Sequence, residues 1–421
     1  QQLSDFRDSL YNAGMGKCVM PKNWSEAFRL LWNFLKGMPV NEKKKIIFID
    51  ELPWMDTPKS NFVHSLDHFW NAWATTRKDI ILVICGSATS WIIDNVIMNY
   101  GGLHNRLTCQ IHLQPFCLRE CKQYCESKNL GYKDRQILEA YMALGGIPYY
   151  WSFLKKGQSV AQNFDRMFFQ TGGELIQEFN ALYASLFKNP KRHIAIISAL
   201  AKKKSGLQRA ELLKAAKLTD NSDFTKSLQE LEQCGFIRKY TIIGKKNKDA
   251  IYQLIDNYTL FYFDFISENV NGDEHFWSSQ SSTSIHAGWA GRAFERVCMQ
   301  HVAQIKAALG FSAVISSAHS WQYKGQKDPV TGKTIHKGAQ IDLLIDRNDD
   351  TINLCEMKYT NVPYTITEEE DEKIRNRKET FIRETETEKT VLVTMITAFG
   401  LTPGGYADDI QCQLTMTDLF K

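Results

Sequence analysis

Nowhere in the 421 residues do roughly 18 apolar residues follow one another, the length that a membrane-spanning helix needs. The first residues lack the basic start, apolar stretch and small-residue cleavage site of a secretory signal, so the chain is expected in the cytoplasm with no membrane partner. No two of the ten cysteines form a CxxC pair, and their scatter gives no sign of an oxidising compartment. Internal repeats and low-complexity tracts are missing as well. One cysteine group has regular spacing: Cys117, Cys121 and Cys125 would stack on one helical face, with Cys109 and His112 nearby as further possible ligands. Known zinc patterns use tighter pairs that let the chain wrap the ion, so this stripe is expected to be a core face of small apolar side chains.

What the chain has is 43% apolar and 12% aromatic residues, enough for several packed cores, and a length that predicts roughly three domains. The net charge is only +4, yet from Pro190 to Ala250 there are 14 Lys/Arg against 6 Asp/Glu, a local +8. Positive charge is therefore concentrated in one segment, as a nucleic-acid-binding module would need.

Near the N-terminus, Lys45-Ile46-Ile47-Phe48-Ile49 runs into Asp50-Glu51, a continuous apolar run that suits a parallel strand buried on both faces. Asp79 to Cys85 predicts the next strand, ending at Gly86-Ser87, and an arginine segment follows at Gly102 to Thr108, with Arg106. Glu139 to Trp151 then contains Gly145-Gly146-Ile147-Pro148, where a double glycine breaks one helix and the proline starts the next turn. Taken in this order, the pieces resemble archaeal-type P-loop ATPases of the AAA+/STAND group. The resemblance implies that Asp50 holds Mg²⁺, Glu51 polarises the attacking water, Ser87 contacts the γ-phosphate or water, and Arg106 supplies transition-state charge, across a homo-oligomer if one forms. ATP binding in that family also needs a glycine-rich loop ending Gly-Lys-Ser/Thr at a strand tip. Gly14-Met15-Gly16-Lys17-Cys18 does not qualify: Tyr11 stands where a glycine is required, Cys18 replaces the hydroxyl, and no strand precedes it. Since the chain begins with Gln1, the first strand and phosphate loop are expected to lie upstream.

Lys191 to Asp256 predicts three short helices and then a hairpin, Gly235 to Ile243 with Ala250 to Leu254, the pattern of a winged helix-turn-helix. If it binds DNA, Lys226 of the third helix would enter the major groove, and Lys245, Lys246 and Lys248 would lie against phosphates. A spacer module with its lysines on a solvated face is the equal alternative. The aromatic stretch Asp256 to Ile266 is expected to be core.

In the last third, Asp342 sits in Gln340-Ile341-Asp342-Leu343-Leu344-Ile345, and Glu356-Met357-Lys358 follows Asn353-Leu354-Cys355. Two facing strands would bring both carboxylates and the lysine together. The spacing resembles the PD-(D/E)XK nuclease core, and Glu295, in the helical pattern Gly291 to Val297, stands where that superfamily places a further acid. The resemblance implies that Asp342 and Glu356 hold Mg²⁺, Lys358 assists the attacking water and Glu295 supports them. Lys324 to Gly338, rich in Lys and Gly, reaches toward a phosphate backbone or is an ordinary hairpin. Glu368 to Glu388 mixes both signs at helical spacing and predicts a solvated helix behind the sheet.

The expected whole is an α/β protein: an ATPase core lacking its phosphate loop over 1–115, a helical lid over 116–188, a winged helix over 189–256 and a restriction-endonuclease-like domain over 257–421. The expected function is an ATP-dependent hydrolase acting on DNA through Mg²⁺. The alternative is a nucleotide-switched DNA-binding regulator whose nuclease-like domain is catalytically silent.

Overall fold

The computed structural model describes residues 1–87, 89–98, 106–240, 250–269, 272–280, 283–327 and 334–421. They form a mixed α/β protein of two compact units, Gln1–Leu113 and Gln114–Lys421.

In the first unit, the helix Trp24–Lys36 begins at Asn23, whose side chain accepts a hydrogen bond from the Glu26 amide (2.9 Å) and so satisfies one of the free donors of the first turn. Its apolar stripe, Trp24, Phe28, Leu31 and Leu35, packs on Phe62, Leu66 and Phe69 of the helix Phe62–Ala72. The Trp24 and Phe62 rings meet edge to face at 4.6 Å. Strands β1 (Lys45–Ile49) and β2 (Ile80–Ile84) pair in parallel from Lys45–Ile80 to Ile49–Ile84. Burial of this sheet on both faces, expected from the unbroken apolar runs, does not hold within the unit. Ile46 and Phe48 are 67% and 61% exposed, and Ile81 and Val83 are exposed beside them, because the helices of the unit cover one face only. Asp79, just before β2, is held by Arg77 through two 2.8 Å bonds and by Lys45 at 2.8 Å, which fixes the entry to both strands.

The second unit begins with helices. Asp134–Leu144 ends at Gly145, in the left-handed region at φ +59°, and Pro148 opens the short helix Pro148–Trp151. Gly146 is required by contact, because a Cβ there would stand 1.9 Å from the Phe116 carbonyl oxygen. Cys121 and Cys125, on the buried face of the helix Leu118–Ser127, join the core, and burial pushes the Cys125 thiol up to about 11. Next come the helices Pro190–Lys202, Arg209–Ala216 and Ser222–Gln233 with strands β3 (Leu207–Gln208), β4 (Ile237–Tyr240) and β5 (Ile251–Leu254), in the antiparallel order β3-β5-β4. Tyr258, Phe261 and Phe265 are core, as expected of the aromatic stretch.

The rest of the unit is built on a five-stranded sheet ordered β12-β11-β10-β9-β6: β6 (Ser316–Tyr323), β9 (Ala339–Arg347), β10 (Thr351–Lys358), β11 (Thr390–Thr397) and β12 (Cys412–Thr415). A small hairpin, β7 (Gln326–Lys327) with β8 (Thr334–His336), projects between β6 and β9. Strands β6, β9 and β10 are antiparallel, whereas β10, β11 and β12 are parallel. The helix Glu368–Thr385 makes the crossover from β10 to β11, as a parallel pair requires. Its Phe381 joins Trp321, Leu344, Ile352 and Leu354 on one face of the sheet, while Ala293, Phe294 and Val297 of the helix Ser284–Gln300 pack with Leu343, Cys355 and Met357 on the other.

A candidate site of clustered carboxylates

β9 and β10 pair from Asp346–Ile352 to Leu343–Cys355, and Asp342 and Glu356 are the next residues of the two strands beyond that last pair. On its other side, β9 slips in register against β6: His319 faces Leu344 but Trp321 faces Ile341, so Asp342 and Leu343 together oppose Ser320. This is a β-bulge, a device that re-aims a side chain and is enriched beside functional sites. Ser320 Oγ donates to the Asp342 carbonyl (2.7 Å), and Gln340 Nε2 donates to its Oδ1 (2.7 Å).

Glu356 and Lys358 are alternate residues of β10 and share a face. Lys358 Nζ lies 3.2 Å from Glu356 and 3.1 Å from Glu370, while Arg377 Nη1 donates to Glu356 Oε2 at 2.7 Å. Burial works against the Lys358 charge, but Glu356 and Glu370 outweigh it and hold its pKa above the ordinary value. Glu295 feels the reverse: burial first, then the charges of Asp342 and Glu356, push it up to about 7. The structure thus brings Asp342, Glu356, Lys358 and Glu295 into one electrostatic neighbourhood.

Hard carboxylate oxygens of this kind suit Mg²⁺, which commonly takes one or two carboxylates and completes its shell with water and phosphate oxygens. Asp342 and Glu356 fit that role. Among the described residues no group of three or more His, Cys, Asp or Glu side chains is gathered to hold a metal ion. Of the regularly spaced cysteines, Cys121 and Cys125 are buried and Cys117 is half-buried, while Cys109 is exposed.

Sequence reasoning missed Glu370 and Arg377, because their helix was expected to be solvated throughout. Spacing carried a signal: the two stand seven residues apart, two helical turns, in step with the buried Ile374 and Phe381. Beside this helix, an open cleft of about 680 Å³ is lined by Lys324, Lys337, Lys373 and Arg377 together with Glu369 and Glu372.

The first unit holds a second candidate group. Asp50 follows β1, and its Oδ1 accepts from Cys85 Sγ at 2.7 Å. Glu51 accepts from both the Ser87 hydroxyl (3.0 Å) and the Ser87 amide (3.2 Å), so the ends of β1 and β2 join these side chains. Arg106 is exposed, and among the described residues no hydrogen bond or ion pair ties it to this corner. Gly14 to Cys18 follows the helix Gln2–Asn12 rather than a strand. Lys226 is exposed on the helix Ser222–Gln233, and Lys245, Lys246 and Lys248 lie outside the described residues.

No protein-family model matches the chain. It is 24% identical over 349 residues to an uncharacterized protein of Methanocaldococcus jannaschii, covering 80% of this chain and 71% of that one. Among solved structures it is similar to a Walker-type ATPase of Pyrococcus abyssi, with a TM-score of 0.40 and 17% identity over 61% of this chain and 74% of the other. No described helix is long and apolar enough to cross a membrane.

Proposed function

We propose that this is an ATP-binding and hydrolysing protein that acts on DNA, and that its five-stranded sheet carries a Mg²⁺-dependent phosphodiester-cleaving centre. The observation that carries the second part is the convergence of Asp342, at the β9 bulge, with Glu356 and Lys358 of β10 on Glu295, whose pKa the two carboxylate charges help to raise. Mg²⁺, when bound, supplies charge neutralisation at the phosphate and a more acidic water. Asp342 and Glu356 hold it. Lys358, kept protonated by its two carboxylate partners, acts as a fixed cation toward the attacking water or the phosphate rather than as a base. Glu295, with a pKa of about 7, is suited to proton exchange with water near neutrality.

For nucleotide, the reading rests on the parallel pair β1–β2, at whose ends Asp50, Glu51 and Ser87 are joined. Arg106 acts on nucleotide across a homo-oligomer. The three helices and the sheet β3-β5-β4 support a winged helix-turn-helix that presents Lys226 to DNA, with Lys245, Lys246 and Lys248 on the wing. A second reading, a nucleotide-switched DNA-binding regulator with a silent nuclease-like module, is favoured by one observation: Lys358 and Arg377 already engage Glu356.

The test is incubation with supercoiled and linear DNA in Mg²⁺ or Mn²⁺, with and without ATP, beside Asp342→Ala and Lys358→Ala. Cleavage by the parent protein that both substitutions abolish is the expected result. No cleavage, with DNA binding intact, would overturn the nuclease and select the regulator.

A further inference from the structure

Arg238 is carried by β4, yet it lies at the carboxylate site. It lines a small pocket with Tyr240, Gln253, Ser320, Gln340 and Asp342, between the three-stranded sheet and the β6–β9 edge of the five-stranded one. Burying a guanidinium is costly unless its charge is matched, and a matched one ordinarily takes a carboxylate in a forked pair. Among the described residues Arg238 has no such partner. Its Nε donates to the neutral Gln253 Oε1 at 2.8 Å, its Nη2 reaches Ser320 Oγ only at 3.5 Å, and its flat face lies 4.7 Å from the Tyr240 ring centre. Asp342 is close enough for its charge to favour the Arg238 cation, but the two form no ion pair. Meanwhile Ser320, which Arg238 approaches, is the residue that faces the bulge and holds the Asp342 backbone.

We propose that Arg238 is a phosphate-binding residue of the Asp342–Glu356 site, so that the three-stranded module supplies a cation to the same nucleic-acid strand that the five-stranded sheet engages. The inference rests on the DNA-acting reading given above. Its physical basis is the guanidinium's unspent donors: a phosphate oxygen entering the pocket mouth provides the negative partner that no described side chain provides. Asp342 stays unpaired with Arg238 and so remains open to a metal. Arg238 also differs from Lys226, which is exposed on a helix and has no part in the carboxylate cluster.

The experiment measures binding without metal, so that cleavage does not enter. Affinity of the full chain for a DNA duplex of about 20 base pairs, and for one of its single strands, is followed against salt in EDTA for the parent, Arg238→Gln and Arg238→Lys. Loss of one phosphate contact reduces the slope of log affinity against log salt by about 0.9 for duplex and about 0.7 for single strand. The expected result is that reduction in Arg238→Gln, and the parent slope with weaker affinity in Arg238→Lys, which keeps the charge but loses the fork. An unchanged slope in Arg238→Gln, with the parent's melting temperature retained, overturns the proposal. If Arg238→Gln does not fold, parent affinity in Arg238→Lys overturns it. Failure of the cleavage reading is seen separately, in the metal-dependent assay, and leaves this salt slope as it is.

Discussion

Replacing Glu295 with glutamine is expected to stabilise the protein at alkaline pH and to leave it nearly unchanged in acid. Burial, together with the neighbouring Asp342 and Glu356 charges, raises Glu295 from its ordinary 4.5 to about 7. At about 1.36 kcal/mol per pH unit, this gap sets a ceiling of about 3.4 kcal/mol, and partial solvent screening brings the expectation to about 1–2 kcal/mol. The sign follows from linkage: a carboxyl whose folded pKa is raised contributes its full stability below the ordinary value, and that contribution is lost as pH rises through about 7. Glutamine carries no such charge. The urea-unfolding free energies of parent and variant should therefore agree at about pH 4.5 and diverge by about 1–2 kcal/mol at about pH 8, with the variant the more stable. An equal difference at both pH values would refute the placement of Glu295 among the carboxylates.

Gly146→Ala should cost about 3 kcal/mol or more in urea unfolding, since its Cβ would stand 1.9 Å from the Phe116 oxygen and break the 2.7 Å bond from the Phe116 amide to the Gly146 carbonyl; a cost within measurement error would refute this contact. Asp79→Asn should lower the melting temperature at neutral pH. Arg77 and Lys45 hold the Asp79 carboxyl well below the usual range, so its contribution is present above the ordinary 3.8 and fades in stronger acid, where the two melting curves should converge. A gap that persists in acid would count against the ion pairs as its cause.

Much of the secondary structure was legible in the sequence because local chemistry sets it. Gly145-Gly146-Ile147-Pro148 ends one helix and starts another through backbone restriction, and the apolar run ending at Ile49 is a parallel strand. The apolar run did not reveal what would cover it, since hydrophobicity records a preference for burial and not the layer that provides it; Phe48 and Ile46 therefore came out exposed. The pairing of the Asp342 and Glu356 strands was readable from their spacing. The bulge that aims Asp342 was not, because register depends on which residues of β6 lie opposite, and β6 is separated from β9 by a hairpin. Arg377 was hidden for a similar reason: a charged helix looks solvated until the position of its buried stripe, Ile374 and Phe381, shows which charges face the sheet.

Glu51 follows Asp50 with φ 47° and ψ 48°, the left-handed conformation that a side chain bearing a Cβ adopts at a cost of roughly 1–2 kcal/mol. Glycine or asparagine would occupy this corner more comfortably, yet the chain keeps a glutamate there, held to Ser87. A redesign guided by folding stability alone would therefore choose position 51 among its first changes, and in doing so would erase the carboxylate that joins the ends of the two strands.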